Sequence, residues 1–311
     1  MIDVVKYSPE YRDEWNGFVD NSRTPMFMFN RGYMEYHADR FCDASLLFLK
    51  DGEIIALMPA NIDGDTVVSH AGLTFGGVIS NTKMHMHTML DVFDGMIKYY
   101  RSNGVRRIIY KSIPYIYYNY PGQEDLYALF RNNAKILKIE PSCTIDLTKK
   151  LKMPKGRRAQ IVRARREGVQ ITETSDWHKF IELENAVLKQ HHNTSAVHSG
   201  DELALLASRF PQNIKCYVAT VAGEMIAGCV LFIYKDIVHT QYLAADDTAR
   251  CIGALDFLIS TLMDQYRDGW RWFDFGCSTL DGGKILNTGL IAQKEGFGGR
   301  VVVHNTWEVA L

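Results

Sequence analysis

Two separate stretches of the chain repeat one order of secondary-structure elements, and this repetition constrains the fold more than any other feature. DGEIIALMPANIDGDTVVSHAG begins at Asp51, and AGEMIAGCVLFIYKDIVHTQYLAA begins at Ala222. In each stretch, apolar and β-branched residues alternate on both sides of a turn, which predicts a pair of strands. An amphipathic helix is predicted after each pair, over about 86–101 and 254–267, and each helix ends near a glycine. A further strand follows each helix.

The repetition also extends upstream of both stretches. A short strand and a helix precede each one: DVVKYS before PEYRDEWNGFVDN, and GVQITE before DWHKFIELENAVLKQ. Chance similarity of two strand pairs is the alternative explanation, but the whole order of elements agrees. We therefore predict an α/β protein of two tandem units with mixed sheets, over residues 1–145 and 146–311, with the boundary between Glu140 and Leu151. No G-x-G-x-x-G follows the first strand and no P-loop occurs, which disfavours the common nucleotide-binding folds.

Composition indicates a globular protein without a strong overall charge. The chain has 311 residues, of which 47% are hydrophobic and 23% charged, and its formal net charge is -1. A polyanion would therefore have to bind a local patch. The first residues lack the basic and apolar regions of a secretory signal, and no apolar run approaches the ~20 residues of a membrane span. The six cysteines are scattered without a CxxC pair, so we expect a cytoplasmic protein with no metal site.

The segment TARCIGALDF predicts a helix start that is suited to an anion. The first N–H groups of a helix lack partners within the helix and lie at the positive end of its dipole. Gly253 would let a phosphate approach the backbone, and Arg250 would add a charged contact. The alternative is an ordinary helix start in which a small residue allows close packing.

At these residues the chain resembles the GNAT acyltransferases, in which an R/Q-x-x-G-x-G/A turn into a helix binds the pyrophosphate of acyl-CoA. RCIGAL shares the Arg and the first Gly of that turn, and NTGLIAQKEGFGG is similar to the Asn-led helix that ends in Gly-Phe in the same family. Together with FDFG at Phe273–Gly276 and the basic run KGRRAQIVRARREGV, these motifs resemble the FemABX-like branch, in which two GNAT units lie in tandem. The resemblance implies an acyl-CoA or aminoacyl-tRNA co-substrate, bound near Arg250, Ile252, Gly253, Ala254 and Asn287.

Polar residues gather where the strand WRWFDFGCS ends, which is the edge at which open α/β sheets bind ligands. Ser278 is the substrate contact that we predict there. Acylation of an amine needs a base, and the candidates are His239, Asp274 and His198. For Asp274, a role as a core aspartate that caps a backbone group is an equal alternative. Histidines in loops mostly face solvent, which is the alternative for His198.

Two further stretches are predicted to bind substrate. Nine Lys or Arg residues and no acid lie between positions 149 and 166. A helix from about Gly156 would carry Arg158 and Arg165, which could bind phosphates of CoA, a sugar nucleotide or tRNA. A solvated helical face is the alternative. In IPYIYYNY, Tyr115 and Tyr117 would lie on one side of an extended segment and could stack on a sugar or base; aromatic packing is the alternative.

The residues and the resemblance together predict an N-acyltransferase. It would move an acyl or aminoacyl group from a CoA-type or tRNA donor to an amine on a cell-envelope precursor, such as a peptidoglycan intermediate or an amino sugar. A direct attack by the amine requires no covalent enzyme intermediate. A different class of function also stays open: a non-catalytic module that binds a polyanion, on a tandem scaffold in which Leu255 and Ile291 depart from the family pattern.

Overall fold

The structure is a computed structural model that describes residues 2–149 and 151–311. The chain folds into two compact units. The first unit comprises the chain up to Pro141 together with Thr279–Ile285 and Val303–Leu311, and the second comprises Ser142–Ser278 and Leu286–Val302. Residues 279–285 and 303–311, which the sequence places in the second half, thus belong to the first unit.

The described chain contains runs of consecutive strands, such as β2 to β7 and β11 to β13, that are separated by helices. The helices are α1 (Arg12–Asp20), α2 (Arg31–Met34), α3 (Met86–Ser102), α4 (Glu124–Arg131), α5 (Lys155–Arg166), α6 (Trp177–His192), α7 (Gly200–Arg209), α8 (Asp247–Ile252), α9 (Ala254–Gln265) and α10 (Thr288–Glu295). The strands are β1 (Asp3–Lys6), β2 (Cys42–Asp43), β3 (Leu46–Lys50), β4 (Glu53–Met58), β5 (Asn61–Asp63), β6 (Thr66–Val68), β7 (Ile79–Ser80), β8 (Arg107–Lys111), β9 (Lys135–Asp146), β10 (Gln170–Thr174), β11 (Ile214–Val221), β12 (Glu224–Ile233), β13 (Ile237–Ala245), β14 (Trp272–Cys277), β15 (Thr279–Leu280), β16 (Ile285–Leu286) and β17 (Arg300–Ala310).

The described part of the first unit contains two main sheets, and β15 pairs with β16 in a separate two-stranded sheet. One is antiparallel with the order β1-β3-β4-β7, and the other has the order β17-β8-β6-β5-β2, in which β6 and β8 are parallel. The late strand β17 belongs here because Thr306–Ala310 pair with Arg107–Lys111 of β8. Apolar side chains of α3, such as Phe93, and of β8, such as Tyr110, fill the core of this unit.

The second unit is built on a mixed sheet with the order β10-β11-β12-β13-β14-β9. Neighbouring strands are antiparallel except β13 and β14, which are parallel. In β12, residues 226–233 are all buried, as is typical of a central strand that is covered on both faces. Helix α9 packs against the core of this unit with one face, because its buried residues recur at helical spacing: Leu258, Ile259, Leu262 and Met263.

The helix predicted over about 254–267 corresponds to α9, but a separate short helix, α8, ends directly before Gly253, so Arg250 lies in the last turn of α8 and not at a helix start. The last helix begins at Thr288, directly after its N-cap Asn287. One local prediction was wrong. Tyr115–Tyr117 form a 3-10 helix, not an extended segment, because the N–H of Tyr117 donates to the carbonyl of Pro114. None of the described helices combines the length and the apolar character that a membrane span requires.

Candidate active site

The two parallel strands of the second unit separate partway along their length. β13 and β14 pair only over Ile237–His239 and Trp272–Asp274, whereas β13 continues to Ala245. Gly276 has a φ of +71°, a left-handed conformation that redirects the chain at the end of β14. Beyond His239, the backbone groups on this side of β13 are therefore not used for pairing with β14. Such N–H groups can stabilise negative charge on a carbonyl oxygen.

A cavity of about 480 Å³ lies beside the separated strands. Its volume falls in the range of roughly 300–1,000 Å³ that is usual for small-molecule sites. The wall is mainly apolar, with Leu243 and Ala245 from β13 and Phe275 from β14. The polar and charged side chains in the wall come from three helices, and they are Glu184, Arg250, Asn287, Gln293 and Lys294.

Lys294 is a buried cation in the wall of this cavity. Helix α10 holds it in place, and the side chain of Asn287 caps that helix by accepting a hydrogen bond of 3.0 Å from the N–H of Leu290. Burial lowers the pKa of Lys294 to about 8. Its ammonium group donates to three oxygen atoms: the carbonyl of Gly276 at 2.9 Å, the carbonyl of Cys277 at 2.8 Å and Oγ of Ser278 at 2.9 Å. Lys294 therefore fixes the end of β14 and adds positive charge to the cavity.

Glu184 is the one carboxyl side chain in the described cavity wall. It lies on α6, and it is 6% exposed. Burial raises the pKa of Glu184 to about 7, well above the usual value for a glutamate. Glu184 is not distinguished in the sequence, because IELENAV resembles any amphipathic helix, in which a glutamate is expected to face solvent.

The predicted catalytic residues His239 and Asp274 lie together, directly where the strands separate. Nδ1 of His239 is 2.7 Å from Oδ2 of Asp274, and both side chains are buried. Asp274 therefore binds the side chain of His239. Its other oxygen accepts hydrogen bonds from Oγ of Ser142 at 2.8 Å and Oγ1 of Thr144 at 2.6 Å. Neither His239 nor Asp274 is in the cavity wall, although Phe275, which follows Asp274 in the sequence, is.

The third predicted base, His198, lies elsewhere in the second unit. It is buried, and its Nδ1 is 2.6 Å from the hydroxyl oxygen of Tyr242. The alternative, that this loop histidine faces solvent, is wrong, because its side chain is buried beside Tyr242. Within the described residues, no group of three or more His, Cys, Asp or Glu side chains is arranged to hold a metal ion.

The residues of the predicted phosphate-binding turn lie in different environments in the structure. Arg250 is exposed and lines the cavity, where a donor phosphate could reach it. Ile252 is half-buried and Ala254 is fully buried in the core. A Cβ at Gly253 would lie 2.6 Å from the carbonyl oxygen of Gln160, so α5 packs directly against this glycine. The structure therefore favours the close-packing role for Gly253 over a phosphate contact.

We expect Gly253→Ala to lower the free energy of unfolding by about 2–3 kcal/mol, because it combines backbone strain with a steric clash. Gly168 is the matched control. Its φ of +76° is nearly the same as the +78° of Gly253, but a Cβ there would meet nothing within 4 Å. Gly168→Ala should cost only about 1 kcal/mol. Thermal unfolding of the two variants measures the difference, and equal losses would show that Gln160 makes no steric contribution.

The basic helix α5 presents Arg158 and Arg165 on its exposed surface. The guanidinium of Arg165 lies 5.1 Å from the ring centroid of Phe257, within the range of a cation–π contact. Arg158 lines a groove of about 600 Å³ that also includes two other basic side chains, Lys152 and Arg267. Lys150 of the basic run lies outside the described residues.

The remaining substrate candidates are separated from one another. Ser278 is fully buried, and its Oγ is committed to Lys294. In the first unit, Tyr117 is buried against Phe75, with ring centroids 4.6 Å apart, whereas Tyr115 is 53% exposed. The two tyrosines therefore do not form one stacking face, and the aromatic-packing alternative describes Tyr117.

Comparison with known proteins finds one family model and several solved structures of similar fold. Residues 155–282 match the model of an acetyltransferase (GNAT) domain. No curated protein matches the chain at the level of sequence. The fold is similar to that of FemX, with a TM-score of 0.71 and 11% identity over 99% of this chain and 97% of that one.

Two other solved structures show the same fold over nearly the whole chain. The C-terminal DUF2156 domain of a candidate lysylphosphatidylglycerol synthetase from Agrobacterium fabrum has a TM-score of 0.65 and 15% identity, over 96% of this chain and 91% of that one. A tandem GNAT protein from the clavulanic acid biosynthesis pathway has a TM-score of 0.53 and 10% identity, over 100% and 98%. The predicted α/β fold of two tandem GNAT-like units is thus confirmed. The chain thus has the fold of FemX and of a tandem GNAT protein, and its residues 155–282 match an acetyltransferase (GNAT) domain.

Proposed function

We propose that the protein transfers an acyl or aminoacyl group from a CoA-type or tRNA donor to an amine on a cell-envelope precursor. The observation that carries this proposal is the cavity beside the separated strands β13 and β14 in the GNAT domain. Two solved structures with this fold support the envelope assignment: FemX, and a candidate synthetase whose name describes the joining of a lysyl group to phosphatidylglycerol.

The cavity supplies what an acyl transfer requires. Its volume accommodates the reactive end of a donor, and its apolar wall excludes water from the thioester or ester. As the amine attacks, negative charge develops on the carbonyl oxygen. The N–H groups of β13 beyond His239 that do not pair with β14 would stabilise that charge. The positive charge of Lys294 would also stabilise this negative charge at a distance, although its three hydrogen bonds go to the protein.

Donor phosphates would extend from the cavity toward Arg250, which is exposed at its wall. A CoA donor and an aminoacyl-tRNA donor share this need, since both carry phosphates behind the reactive carbonyl. Both donors therefore fit the cavity and Arg250, and the transfer assay distinguishes between them.

The test is a transfer assay with the purified protein. One arm contains acetyl-CoA and longer acyl-CoA thioesters, and the other contains aminoacyl-tRNA. Each arm is offered a peptidoglycan-precursor peptide with a free lysine amine and, separately, an amino sugar. Mass spectrometry should show the acceptor heavier by one acyl or aminoacyl group in one arm. Absence of product in both arms would overturn the proposal and favour the polyanion-binding alternative.

The double variant Arg158→Ala, Arg165→Ala distinguishes a phosphate-binding helix from a solvated one. We expect it to weaken the binding of a phosphate-rich ligand about tenfold at low salt and less at high salt, because salt screens exposed charges. Affinities for CoA and for uncharged tRNA, measured at two ionic strengths, provide the readout. Arg101→Ala, an exposed arginine on α3, is the control. Equal affinities of wild type and double variant at both salt concentrations would mean that this face is merely solvated.

A further inference from the structure

Glu184 is buried in the cavity wall without a hydrogen-bond partner for its Oε2 atom among the described residues. Buried polar atoms are nearly always satisfied, because an unpaired one loses the hydrogen bonds that water would have given it. A carboxylate loses more than a neutral group does. A bound ligand that donates a hydrogen bond to the carboxylate would account for a buried, unpaired oxygen in a cavity wall.

The surroundings of Glu184 leave it able to accept a proton. The titratable groups that interact with it from the sheet are Tyr242 of β13 and Cys229 of β12. Burial raises the pKa of Tyr242 to about 12 and raises that of Cys229 well above its usual value, so both are neutral at pH 7. The cavity's cations are Arg250 on α8 and Lys294 on α10. Burial raises the pKa of Glu184 itself to about 7, close to the value at which a general base works best.

The other candidate bases are engaged with partners outside the cavity wall. Nδ1 of His239 lies against Asp274, and Nδ1 of His198 lies against the hydroxyl of Tyr242. Neither histidine lines the cavity, whereas Glu184 does.

We propose that Glu184 is the general base that takes a proton from the acceptor amine. This inference rests on the proposed acyl transfer and names the residue that makes the amine nucleophilic. The acceptor's ammonium gives one proton to the Glu184 carboxylate, and the neutral nitrogen attacks the donor carbonyl carbon. The new C–N bond forms while the carbonyl π electrons move to oxygen. When they return, the C–S bond of a thioester or the C–O bond of an aminoacyl ester breaks, and the leaving atom takes that electron pair and a second proton from nitrogen. Glu184 then releases its proton to water.

The ammonium of the acceptor would donate the hydrogen bond that Oε2 of Glu184 lacks among the described residues. An ammonium is a donor with no acceptor capacity, so it matches a carboxylate that lacks a donor. The acceptor is thus an amine that is protonated in solution, and binding in the cavity prepares it for attack.

The experiment compares two nucleophiles with the donor arm that is active in the transfer assay. Methylamine is mostly protonated at neutral pH and needs a base, whereas hydroxylamine is mostly unprotonated and does not. Glu184→Gln should lower the enzymatic rate with methylamine by about 100-fold or more, the usual contribution of a general base. The rate with hydroxylamine should fall by less than about tenfold. Uncatalysed reaction is subtracted in each case.

Glu182→Gln is the matched control, because Glu182 is an exposed glutamate on the same helix. It should leave both rates unchanged. Glu184→Gln should also melt no earlier than the wild type, so a lost rate does not reflect a lost fold. Equal loss with both nucleophiles, or no loss with methylamine, would overturn the role of Glu184 while leaving the acyl transfer intact. If the wild-type protein acylates neither nucleophile, the proposed function fails and the inference fails with it.

Discussion

Lys294→Met is expected to lower the free energy of unfolding by about 3–5 kcal/mol, one of the two largest effects that we predict. Methionine fills a similar volume but donates no hydrogen bond. Three acceptors, the partly buried carbonyls of Gly276 and Cys277 and the buried Oγ of Ser278, would lose their donor at once. Because these residues form the end of β14, the variant should also lose transfer activity. Chemical denaturation of wild type and variant measures the difference in the free energy of unfolding.

The control is Lys189→Met, which removes an exposed lysine from α6. Its effect should stay within about 0.5 kcal/mol. A Lys294→Met protein as stable as this control would show that the three contacts contribute nothing measurable. The pH dependence gives a second check. The folded pKa of about 8 lies below the usual lysine value near 10.5, so the unfolded chain binds more protons between them. The stability of the wild type relative to Lys294→Met should therefore rise as the pH increases from about 8 to 10.5.

Asp274→Ala is expected to destabilise the protein by a similar amount, on the order of 3–5 kcal/mol, for a different reason. Asp274 is fully buried and accepts hydrogen bonds from two hydroxyl groups, with the imidazole of His239 as a third partner. Removing the carboxylate leaves these partners buried without an acceptor. Asp274→Asn keeps the volume of the side chain, but its amide N–H₂ would face one of the groups that donate to Asp274. About half of the destabilisation expected for Asp274→Ala should therefore persist.

Asp268→Asn, at an exposed aspartate after α9, controls for the change of charge. Thermal and chemical unfolding of the three variants provide the comparison. If Asp274→Ala unfolds like Asp268→Asn, the hydrogen bonds to Asp274 do not stabilise the strands where they separate.

The tandem plan could be predicted from the sequence because strand alternation, helix periodicity and end signals are local. The N-cap at Asn287 is an example, since the Asn and the helix that it caps are adjacent in the chain. The order of these local signals repeats, and the fold followed from that order.

Roles that depend on distant partners could not be predicted in the same way. Gly253 fits a phosphate turn by its local pattern, but its function in the fold depends on Gln160, which α5 brings against it. Glu184 and Lys294 look like ordinary helical charges, and only their burial beside one cavity distinguishes them. The short 3-10 helix at Tyr115–Tyr117 was missed because alternating tyrosines also suit a strand.

The passage of the chain back into the first unit has a consequence for biosynthesis. A ribosome releases β8 long before β17, yet Arg107–Lys111 of β8 pair with Thr306–Ala310 of β17. The first unit therefore cannot complete its sheet while it emerges, as a self-contained N-terminal domain would. Until β17 is translated, the edge of β8 stays open to pairing with other chains, a recognised route to aggregation. Nascent chains of this protein should thus depend on chaperones at least until β17 has been translated, and they should become protease-resistant only after that point.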